Sequence, residues 1–179
     1  GHSAIAKRLP HNRRSVDFHK RAVMLEELRR RESEDRAGLR KGIVSNWKDG
    51  RIKLYLTDKA LDFRRAHASV FLNGDYIPLA AEGSRHGNVC GFGRYKEGLW
   101  ALSVTPRWTA RLAPAGRPPL GRACWQDTAL LLPETAHERW RNVLTGETLH
   151  ASQAEGEQKR LPLHAVLHCF PVALLEGLA

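Results

Sequence analysis

Residues 70–83, "VFLNGDYIPLAAEG", decide how the chain is read. An apolar triplet, Val70 to Leu72, runs into Asn73-Gly74-Asp75, and a second apolar run, Tyr76 to Ala81, follows at once. Asn-Gly tolerates positive φ and is a strong short-turn signal, so a local reading gives a β-hairpin. The pattern on the two sides of the turn disagrees with that. Before it the spacing is helical; after it short apolar runs are cut by Gly, Pro and Asn at intervals expected of an all-β domain. The turn therefore reads as the junction of two architectures. Residues 70–72 finish a link or pair briefly with 76–78. Pro78, which has no N–H to give to a ladder, places the first strand at a sheet edge.

Upstream, residues 16–41 are rich in Glu, Arg, Leu and Ala and free of proline, which predicts one helix. Asp17 is placed to cap it, and Gly38 or Gly42 to end it. Residues 51–67 fit a strand by the alternation Ile52, Leu54, Leu56. They also fit a helix by the stripe Ile52, Leu56, Ala60, Phe63, and length favours the helix. Downstream, strands are expected near 76–81, 88–95, 99–105, 127–132, 140–144, 147–151, 160–163 and 170–175. A hairpin turn is expected at Thr145-Gly146. Residues 111–122, with Pro114, Pro118 and Pro119, read as a long loop, and 152–159 as a polar one. The fold class is thus α+β: an N-terminal helical segment, residues 4–69, followed by an antiparallel β-domain, residues 70–179. The latter is long enough for a core of its own. The helical stripes need a cover, either the β-domain or a partner, and self-association through Ile52, Leu56, Ala60 and Phe63 is one outcome. Gly1-His2-Ser3 reads as a tag remnant.

The net charge of +10 suggests an anionic partner, but its distribution argues otherwise. Residues 1–69 hold 18 Lys and Arg against 9 Asp and Glu; residues 70–179 hold 11 against 10. The excess sits where both signs are mixed, as in "EELRRRESEDR", the pattern of a solvated helix face. No nucleic-acid partner is expected. No run has the length of a membrane helix, and no secretory signal is visible, so no membrane partner is expected either. Cys90, Cys124 and Cys169, odd in number and far apart, fit reduced thiols and a cytoplasmic setting.

Six blocks, in this order, carry a family resemblance: "HNRRSVDF" (11–18), "DGRIKLYLTDKALDFRRAH" (49–67), "VFLNGDYIPLAAEG" (70–83), "WQDTALLLP" (125–133), "WRNVLTGE" (140–147) and "LPLHAVLHCFPVALL" (161–175). Together they resemble the C-terminal end of maltooligosyltrehalose synthases, of the α-amylase superfamily, from about residue 10 onward. The resemblance implies that residues 4–69 are the tail of a catalytic (β/α)₈ barrel and residues 70–179 a C-terminal β-sandwich. It implies an isomerase that converts the reducing-end α-1,4 link of a maltooligosaccharide into an α,α-1,1 link. A retaining pair of carboxylic residues would act before residue 1. No catalytic residue is then expected in this chain, and a chain inactive alone. The partners implied are its own barrel and, through that barrel, a maltooligosaccharide. Where many members read Asp-Pro-Asp-Asn-Arg-Arg-Pro-Val-Asp, this chain has Leu9, His11 and Ser15 at three of the positions.

Asn12, Arg13, Arg14 and Asp17 make the strongest candidate sugar-binding cluster: amide, guanidinium and carboxylate groups offer the paired hydrogen bonds that sugar hydroxyls require. Lys53 is a further candidate. The competing roles are structural, a cap for Asp17, ion pairs for the arginines and solvent exposure for Lys53. Of the five tryptophans, Trp100, Trp125 and Trp140 are expected in the core and Trp108 on the surface. His164 and His168, four apart and with Cys169 adjacent, resemble half of a zinc site, with no third ligand evident at useful spacing, so neither metal nor cofactor is expected. A stand-alone α-glucan-binding module is the alternative function.

Overall fold

The computed structural model of the protein describes residues 17–153 and 157–179. The helix expected over 16–41 is two helices, α1 (Phe18–Glu34) and α2 (Arg36–Ser45), and Asp35 separates them. Asp35 is extended (φ −150°), and its carboxylate accepts the backbone N–H of Gly38 at 2.9 Å. A Cβ at residue 38 would come within 2.1 Å of that carboxylate, so glycine there lets the cap form. The run "ESEDR", which reads as a uniform charged face, thus contains a helix start. Along α1 the exposed face is tied by Glu27 to Arg30 and Arg31 and by Arg30 to Glu34.

The helical reading of 51–67 holds: α3 spans Arg51–Ala66 and starts where the Asp49 carboxylate accepts the Arg51 N–H. Its deepest residues are Tyr55, Asp58 and Phe63, so the buried face is rotated from the expected stripe. Ile52, Leu56 and Ala60 are half-buried beside it. Residues 70–72 neither link nor pair as a strand. They belong to a short helix, α4 (Ala68–Asn73), whose Val70 is buried. Gly74 follows in extended conformation (φ −77°), so Asn73-Gly74 is a helix-to-strand corner and not a hairpin turn. What Gly74 supplies is space: a Cβ would lie 2.4 Å from the Val70 carbonyl oxygen and 2.8 Å from that of Tyr95.

Among the described residues nine strands follow, all antiparallel: β1 (Asp75–Leu79), β2 (Ala81–Glu82), β3 (Val89–Lys96), β4 (Leu99–Pro106), β5 (Ala129–Leu131), β6 (Arg139–Asn142), β7 (Thr148–His150), β8 (Arg160–Pro162) and β9 (Ala173–Leu178). They form a six-stranded sheet in the order β1-β3-β4-β9-β6-β7 and a three-stranded sheet in the order β2-β5-β8. Pro78 is on β1, at the edge, opposite Phe92. Residues 76–81 are therefore split between the sheets, the chain crossing over at Ala80. The first part of the expected strand at 170–175 is loop. Short helices α5 (Gly121–Trp125) and α6 (Leu163–Val166) fill the connections.

The large sheet is covered on both faces. Trp100, Leu102 and Val104 of β4, with Ala173 and Leu175 of β9, join Leu130, Leu132 and Leu161 in one core. The alternate residues Ala101 and Leu174 join Leu28, Ile43, Tyr55, Phe63 and Val70 of the helices, with Leu144 and Phe170, in a second. This is why β4 and β9 read as nearly continuous apolar runs. The result is three layers: helices, large sheet, small sheet. Much of the helical apolar surface is thus covered by the β-domain, with Ile52, Leu56 and Ala60 left half-buried. Trp125 and Trp140 are fully buried and Trp100 is 3% exposed, as expected, and Trp108 is 70% exposed.

Candidate functional site

An open apolar groove of about 520 Å³ lies between the start of α3 and the proline-rich loop. Its walls are Val44, Trp47, Ile52, Lys53 and Leu56 on the helical side, residues 109–110 and 113–119 on the loop side, and residues 170–172 at the base. Local chemistry builds it. Pro114, Pro118 and Pro119 forbid a regular element, so the loop stands off the sheet. Trp47 Nε1 donates to the Gly116 carbonyl at 3.2 Å and ties the loop across the groove. Trp125 Nε1 donates to the Pro119 carbonyl at 2.9 Å and anchors its far end in the core. Trp108 sits at the loop entrance in left-handed conformation (φ 53°) with its ring in solvent.

Among the described residues, Lys53 and Arg117 are the charged side chains in the groove wall, which there carries no carboxylate or histidine. The surface can hold an apolar or ring-faced ligand beside two cations. The proline-rich stretch was legible as irregular, but nothing local in it announces a groove, because the opposite wall is some 60 residues away in sequence.

Of the candidate sugar-binding residues, Lys53 is exposed on this wall. Asp17 caps α1 by accepting the Lys20 N–H at 2.9 Å, which is the structural role weighed for it. Asn12, Arg13 and Arg14 lie outside the described residues.

A buried polar group joins the helices to the sheet. Tyr55 places its hydroxyl 2.8 Å from the Leu144 carbonyl oxygen and 3.1 Å from Glu32 Oε1. Burial and the neighbouring Glu32 charge raise its pKa well above the ordinary tyrosine value, so it stays a neutral donor. Glu32 is in turn paired with Lys59 and, at 3.3 Å, Arg36. Arg29 clamps the buried Asp58. His164 does not converge with His168: its Nε2 accepts from Arg122 at 2.9 Å, and burial, then the Arg122 charge, lower its pKa.

No family model matches the chain. Over 166 residues, 93% of its length, it is 32% identical to proteins named maltooligosyl trehalose synthase from two strains of Mycobacterium tuberculosis. It spans about a sixth (16%) of their length. A solved structure of a variant of maltooligosyltrehalose synthase from Arthrobacter ramosus superposes with a TM-score of 0.64 and 26% identity, covering 94% of this chain and 18% of that one.

Proposed function

We propose, with the relation of this chain to the C-terminal part of maltooligosyltrehalose synthases as the premise, that it serves as the C-terminal module of such an enzyme. The parent reaction is the conversion of a reducing-end α-1,4 link into an α,α-1,1 link, catalysed in an α-amylase-type barrel by a retaining carboxylate pair. In this reading residues 4–69 end that barrel, and the β-layers hold the end of the barrel in place. The module contributes position and stability, not acid or base. The observation that carries the proposal is the coextensive match: sequence similarity over 93% of the chain and structural similarity over 94% of it. The free cysteines Cys90, Cys124 and Cys169 fit a reducing, cytoplasmic compartment.

The test is incubation of the purified 179-residue chain with maltopentaose and separation of the products. Unchanged maltopentaose is expected; isomerised or hydrolysed product would overturn the reading. A stand-alone glucan-binding role is favoured by one observation, the solvent-exposed Trp108 just before the proline-rich loop, a ring face on which a sugar can stack. It predicts saturable binding of maltoheptaose; a flat titration removes it.

A further inference from the structure

His168 and Cys169 are adjacent in sequence, and the tertiary structure brings Glu147, rather than His164, to them as a third candidate ligand. Glu147, 22 residues before Cys169 and on the turn between β6 and β7, brings its two carboxylate oxygens to 3.7 and 3.6 Å from the Cys169 Sγ. One ligand atom from each of Glu147, His168 and Cys169 lies within 4.8 Å of the other two. We propose that Glu147, His168 and Cys169 form a binding site for a zinc-class divalent cation, with a fourth position open to solvent.

The donor set decides the class of ion. Thiolate, imidazole and carboxylate together suit zinc and its neighbours, whereas calcium and magnesium take oxygen ligands. In a tetrahedral zinc site, bonds of about 2.0–2.3 Å place ligand atoms roughly 3.3–3.7 Å apart. The sulfur–oxygen separations already have that span. His168 is exposed, so its ring is free to turn inward.

Both backbones are held. On one side the Asn142 N–H donates to the Glu147 carbonyl at 2.8 Å, and the Glu147 N–H is 3.3 Å from the Thr145 hydroxyl that accepts it. On the other, Leu167 and Phe170, fully buried, pin the residues on either side of His168 and Cys169. Glu147 has no ion-pair partner among the described residues. Two guanidiniums oppose a cation: Arg40, whose Nη1 donates to the Thr145 carbonyl, and Arg36, which lies against Gly146 and is paired with Glu32. The carboxylate and the thiolate would touch the ion directly and outweigh them, the thiol proton leaving to buffer as the metal binds. The ion would fasten the hairpin turn to the segment after α6, joining two stretches that now meet through a weak S–H to carboxylate contact.

The experiment uses the whole chain, reduced and freed of metal, titrated with cobalt(II) and separately with zinc. The expected result is one ion per chain and a near-ultraviolet thiolate-to-cobalt absorption band. Cys169→Ser removes the band. Glu147→Gln and His168→Ala each weaken binding by about tenfold or more. Cys90→Ser, at an exposed cysteine elsewhere, leaves binding unchanged. Circular dichroism establishes that each variant is folded. Absence of the band at large cobalt excess, or its survival in a folded Cys169→Ser variant, overturns the proposal. Glu147→Gln, at a half-buried turn position, serves as the decisive variant if Cys169→Ser does not fold.

Discussion

Tyr55, on the helical layer, holds its hydroxyl 2.8 Å from the carbonyl oxygen of Leu144, at the turn closing the β6–β7 hairpin. Both residues are at most 1% exposed. The contact is a polar bond inside an apolar seam, and it sets how the helices seat on the sheet. Tyr55→Phe keeps the ring and removes the donor, leaving a buried carbonyl without it. A loss of about 1–3 kcal/mol is expected in urea unfolding, with native circular dichroism at low denaturant. No loss would show that the seam is held by apolar packing alone.

Gly74 is required for space, not for backbone freedom, since its φ is ordinary. Gly74→Ala is expected to destabilise by about 1–3 kcal/mol, because the carbonyl oxygens of Val70 and Tyr95 leave no room for a methyl group. Gly87→Ala is the control: a Cβ there meets nothing within 4 Å, and its effect is expected within about 0.5 kcal/mol. Equal midpoints for the two variants in chemical unfolding would contradict the geometry.

The tryptophans separate core from surface. Trp140 is fully buried and donates its Nε1–H to the His137 carbonyl at 2.9 Å. Trp140→Ala is expected to cost about 3–5 kcal/mol. Trp108→Ala is expected to leave thermal stability nearly unchanged, and any maltoheptaose binding by the isolated chain should fall with it. Binding unaffected by this change would remove Trp108 as a stacking platform.

His164 gives stability a sign with pH. Burial and then Arg122 hold its folded pKa below the unfolded value of 6.5. Between those two values the unfolded chain binds more protons than the folded one, so stability is present above about pH 6.5 and falls as the pH drops below it. Thermal midpoints from about pH 7.5 to about pH 5.5 should decline less for His164→Gln, which keeps an acceptor for Arg122 but does not titrate. Parallel curves for the two proteins would show that His164 is not the group responsible.

Much of the fold was legible because its causes are local. The cap at Asp17, the missing N–H of Pro78 and the hairpin around Gly146 each act within a few residues. The break at Asp35 was local too. It is an Asp-x-x-Gly cap hidden in a charged run, and charge density masked it. Residues 70–73 were less accessible. "VFLN" suits strand and helix alike, and Val70 becomes helical because that turn places it in the helix–sheet core.

By itself the sequence determined most of the helices and strands, which tryptophans are core, and a resemblance to the C-terminal part of one enzyme family. Only the tertiary structure decided the partition into two sheets and the covering of the large sheet on both faces. It alone decided the rotated face of α3, the groove over the proline-rich loop and the meeting of Glu147 with Cys169. The physical reason is range. Propensity, capping and turn chemistry act between near neighbours, whereas those features are contacts across tens of residues, as between Tyr55 and Leu144, and no periodicity in a single strand or helix encodes its partner.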